Sequence, residues 1–185
     1  MTLDPKEAAA SLDDIDAIER RTRETLYYAG TSDVLILWGV LTLLGHLLTW
    51  FAPRYGAWVW PIIDVGGFLA TVALVGRRLP RSQWRGAGKR WVASYATLLA
   101  FGYILVVELS PLTGRQLEVF WPTVVMLGYV LAGIWIGRFF LYVGIAATAL
   151  ILAGYFFLGD GFTLWLAFVM GGGFLAGGLW LRRSA

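Results

Sequence analysis

The chain has 185 residues, 58% hydrophobic and 15% charged, with a formal net charge of +3 and no cysteine. A soluble domain of this length carries about 25% charged residues, so a soluble globular fold is excluded; without thiols, so are disulfides, thiolate metal sites and cysteine nucleophiles. The surplus positive charge lies in loops, where it reads as a topology signal and not as a nucleic-acid surface.

Residues 1–31 are polar and lack the basic-then-apolar order of a cleavable signal peptide. Ser11 can cap a helix, with Asp14 in a capping-box-like position. The pairs Asp16–Arg20, Glu19–Arg23 and Arg20–Glu24 support that helix at i,i+4 spacing. Leu12, Ile15, Ile18, Thr22 and Leu26 form one weakly apolar stripe. The expected element is an amphipathic helix on the cytoplasmic membrane surface, with residues 11–28 available to a cytoplasmic partner. Gly30 suits a break, and Thr31 or Ser32 a cap for the first membrane span.

Six apolar runs follow, at 34–51, 58–75, 91–109, 120–136, 139–158 and 162–181. Each reaches the roughly 17 residues needed to cross about 30 Å of hydrocarbon. Thirteen of the 15 Lys and Arg residues fall in the N-terminal segment, the second and fourth connections and the C-terminal tail; only Arg54 and Arg115 lie in the other connections. The positive-inside rule then puts both termini in the cytoplasm. Tryptophan agrees, with Trp50, Trp58, Trp60, Trp121 and Trp165 near the outer interface and Trp38, Trp91, Trp135 and Trp180 near the inner one. The fold class is an all-α polytopic membrane protein: a cytoplasmic segment, 1–31, and a six-helix domain, 32–185.

The chain also resembles itself. WPIIDVGGFLATVALVGRR (60–78) and WPTVVMLGYVLAGIWIGR (121–138) share Trp-Pro, a central glycine and Gly-Arg at equal spacing, and GGFLA recurs at 172–176. Three tandem hairpins of like orientation, 34–75, 91–136 and 139–181, are expected. This layout is similar to that of HdeD-type membrane proteins, which also place six spans in three hairpins, although no motif is matched beyond the layout.

Ionisable groups inside the membrane are the first place to look for chemistry, because each costs roughly 2.5–3.5 kcal/mol at mid-bilayer. Here they are His46, Asp64 and, at the margin, Glu108. His46 and Asp64 lie about 8–9 Å in from the outer ends of their spans at 1.5 Å per residue. With Arg54 above and Tyr103 nearby, they make a candidate polar site for a proton, cation or small ligand; the plainer reading pairs Asp64 with His46 or Arg54. One histidine and two carboxylates on separate helices lack metal-ligand spacing, so neither metal nor cofactor is expected. No HExxH, GxSxG or phosphate loop occurs, so the chain is expected not to be an enzyme. Arg77, Arg78, Arg81, Arg85, Lys89 and Arg90 crowd one cytoplasmic loop, which can hold the loop inside or bind anionic headgroups. Gly133-xxx-Gly137 and Gly173-xxx-Gly177 are small-residue faces suited to helix packing or to an oligomer or partner interface.

Together these features describe a small, multi-pass protein of the bacterial inner membrane, acting as a non-catalytic subunit or scaffold in a homo-oligomer or with a membrane partner. The alternative is a small transporter or ion-coupled carrier built on the polar cluster.

Overall fold

A computed structural model describes residues 31–78, 89–135 and 138–184, and no strand occurs among them. The expected amphipathic helix at 11–28 lies outside the described residues, as do Arg81, Arg85 and Gly137. Six helices follow in order: α1 (Thr31–Phe51), α2 (Gly56–Arg78), α3 (Lys89–Glu108), α4 (Gly114–Trp135), α5 (Arg138–Phe157) and α6 (residues 162–184). Five are long and apolar enough to cross a membrane, and α3 adds a shorter apolar stretch, Val92–Glu108. This is the architecture of a multi-pass membrane protein.

Local chemistry sets the helix ends. Thr113 and Gln116 form a reciprocal cap at the start of α4: Thr113 N donates to Gln116 Oε1 at 2.8 Å, and Gln116 N to Thr113 Oγ1 at 3.2 Å. That cap starts α4 six residues before the apolar run at 120. Gly159, at φ +51°, lets the chain turn between α5 and α6. Within α6 the segment Ala167–Gly172 is wound as a π-helix between α-helical flanks.

The buried core comprises Leu35, Met126, Ile151, Phe162, Leu166, Met170, Phe174 and Leu181, drawn from α1, α4, α5 and α6. Tyr129 stacks on Phe174 within it, at 5.7 Å between ring centroids. Neither α2 nor α3 contributes a core side chain. Only 6% of the apolar window of α2 is buried inside the protein, against 39% for the last span. The bundle therefore has four central helices and two peripheral ones.

Glycine sets how closely the central helices approach. A Cβ on Gly39 would stand 2.7 Å from Leu175 N, and one on Gly171 would stand 2.7 Å from Leu43 Cα. Backbone meets backbone there, as small residues allow in lipid. Ser32 Oγ donates across the same contact to Gly178 O at 2.9 Å. Among α2 to α6, the most extensive packing joins α4 to α5, where Gly133 lies against the backbone of Leu141. This contact runs between the second and third of the expected hairpins, while α3 touches α4 more sparsely.

The peripheral helices lean on one neighbour each. Trp60 and Ile63 of α2 pack over Gly45 of α1, and Trp38 Nε1 of α1 donates to Thr71 Oγ1 at 3.0 Å. On the other flank, Gly102 of α3 receives Trp121 of α4. Contact between α2 and α3 is slight.

Candidate functional site

No hydrogen bond or ion pair joins the five candidate polar residues to one another. His46 is buried, its ring edge-on to Trp60 with centroids 4.7 Å apart and planes at 64°. Its Nδ1 has no hydrogen-bond partner. Asp64 lies one turn along α2 from Trp60, yet its side chain is exposed. Among the described residues no hydrogen bond or ion pair joins it to His46 or Arg54. The Arg54 guanidinium instead covers the ring of Tyr55, 4.6 Å from its centroid. Glu108 is exposed as the last residue of α3, and Tyr103 is exposed with its ring against Trp121 at 4.7 Å.

A different polar cluster joins the ends of three central helices. Arg115 Nη2 donates to Tyr155 O at 2.6 Å, and its guanidinium lies 5.2 Å from the Tyr155 ring centroid and 5.8 Å from that of Phe162. Thr163 Oγ1 donates to Glu118 Oε2 at 2.8 Å. The Tyr155 carbonyl belongs to the last turn of α5, where helix carbonyls lack intrahelical partners and the dipole favours a cation. The cluster thus fastens α4 to α5 and α6. It was legible only as Arg115 and Glu118 one turn apart, just ahead of the apolar run.

Hydroxyl groups within the spans are mostly spent on their own helices. Thr42, Thr49, Thr71, Thr97, Thr123 and Thr148 each donate to the carbonyl four residues back, at 2.6–2.8 Å. A groove of about 740 Å³ runs along α4 and α5, walled by side chains such as Leu112, Phe120, Leu127, Ile145 and Leu152. It carries no charged residue, and Thr123 and Thr148 in its wall are two of the self-bonded threonines. Among the described residues no group of three or more His, Asp or Glu side chains is placed to hold a metal ion.

Of the glycine pairs, Gly133 is used within the chain against Leu141, whereas a Cβ on Gly173 or Gly177 would meet nothing within 4 Å among the described residues. In the basic loop, Arg77 and Arg90 are exposed, and Arg78 and Lys89 stand at the facing ends of α2 and α3.

No family model, curated protein or solved structure matches the chain. Its function has to be argued from this geometry.

Proposed function

We propose that the chain is a non-catalytic subunit or scaffold of the bacterial inner membrane, with both termini cytoplasmic, three hairpins in sequence, and helix faces that receive another polypeptide. The observation that carries the reading is Asp64: a carboxyl group at membrane depth, exposed, and on the least buried of the five long spans. Polar groups inside a bilayer normally face the bundle interior or a water-filled cavity, because exposure to lipid is costly. A second polypeptide over α2 removes that cost. The open Gly173 and Gly177 on α6 add a face where a helix can approach closely.

The carrier reading finds less support. A permeation route needs hydrogen-bonding groups along its length, whereas the threonines bond their own helices and the groove along α4 and α5 is apolar. His46, Asp64 and Glu108 are not joined to one another.

Particle mass tests the proposal. Native mass spectrometry of membrane patches excised without detergent should show the 20.5 kDa chain bound to at least one further polypeptide. A lone chain carrying only lipid would overturn it.

A further inference from the structure

We infer that the exposed face of α2 around Asp64 receives a transmembrane helix of a different protein, one that carries a lysine or arginine at the depth of Asp64. The inference deepens the proposed subunit role by naming the chemistry of the partner.

Pro61, Asp64, Val65 and Phe68 are all exposed. They follow the i, i+3, i+4, i+7 pattern by which one helix reads another. Three of the four are apolar, so lipid alone could cover them. Asp64 is what lipid cannot satisfy, and its complement is a cation with a proton to donate.

The described residues of this chain do not supply that cation. Between residues 34 and 51, and between 56 and 76, there is no lysine or arginine, and the same holds for 92–107, 119–135, 139–157 and 162–181. Arg54 is engaged with Tyr55 just ahead of α2, ten residues from Asp64 and so about 15 Å away along a helix. At the other end, Arg78 is fourteen residues away, about 21 Å. Both exceed the reach of an arginine side chain. Arg115 is committed to Tyr155 O.

The same inventory argues against a second copy as the occupant. A symmetric pairing through α2 would set carboxyl against carboxyl. His46, the remaining group in the spans able to take a positive charge, is 2% exposed and packed on Trp60 in its own chain. The inferred partner therefore supplies the cation from another sequence.

The test replaces Phe68, one turn from Asp64, with the photoreactive benzoylphenylalanine, which keeps the bulk of the ring. The full chain is irradiated in the membranes of the cells that make it, and the adduct is sequenced by mass spectrometry. The expected adduct is a peptide from a membrane span containing lysine or arginine. Its yield should fall about three- to tenfold in D64N, on the scale of interhelical hydrogen bonds in membranes, and survive in D64E. Equal elution of the three forms on size exclusion guards against misfolding. A protein adduct that forms equally well in D64N, or whose span lacks a basic residue, overturns the charge pairing while leaving the subunit role standing. An adduct with a second copy of the chain overturns the claim of a different protein. Adducts with lipid alone overturn both the inference and the subunit role.

Discussion

Arg115 shows how much one side chain does at a membrane boundary. Its guanidinium saturates a terminal carbonyl of α5 and covers two aromatic rings, so it is both hydrogen-bond donor and packing element. Replacing it with alanine should lower the unfolding free energy by about 1.5–3 kcal/mol, the scale of hydrogen bonds to charged groups. In a detergent melt R115A should unfold below wild type, with R115K between them; coincident melts would remove the clamp. In the sequence Arg115 reads only as a minority charge between spans, and Glu118 only as a polar residue ahead of the apolar run. Neither the Tyr155 carbonyl nor the Thr163 hydroxyl can be assigned as a partner from spacing, since both lie about 40 residues away on other helices. Asp64 was legible as an unusual group, but which way it faces depends on the rotation of α2, which a uniformly apolar helix does not encode.

At the level of helices, hydropathy located the elements, and all six apolar runs lie largely within helices. Their ends were less legible, because caps such as Thr113–Gln116 extend a helix beyond its apolar stretch. The glycine pattern announced close packing without saying where. Gly171 and Gly39 meet the backbone of the facing helix, Gly133 meets Leu141, and Gly173 and Gly177 face open space. Two neighbouring positions should therefore respond differently. Gly171→Ala forces α1 and α6 apart and should cost about 1–3 kcal/mol, as overpacking does. Gly177→Leu should leave the isolated chain's melt unchanged while weakening its hold on a partner. Parallel melts and co-purification of the two variants check this, and equal destabilisation by both would place Gly177 inside the bundle after all.

For the whole molecule, four helices share a core and two flank it. That division was not visible in composition, because every span is apolar enough for lipid and hydrophobicity does not distinguish lipid contact from protein contact. What distinguishes them is the rare polar group, and here it lies on the outer side of a flanking helix. The subunit role requires that surface to be covered in the native membrane. The absence of cysteine makes a direct measurement possible: a single cysteine at Val65, carrying a fluorophore, reports contact with quencher-bearing lipids. The label should be strongly quenched in vesicles holding the purified chain alone and shielded in membranes from the cells that make it. Equal quenching in both would mean that lipid, and not another protein, lies against Asp64.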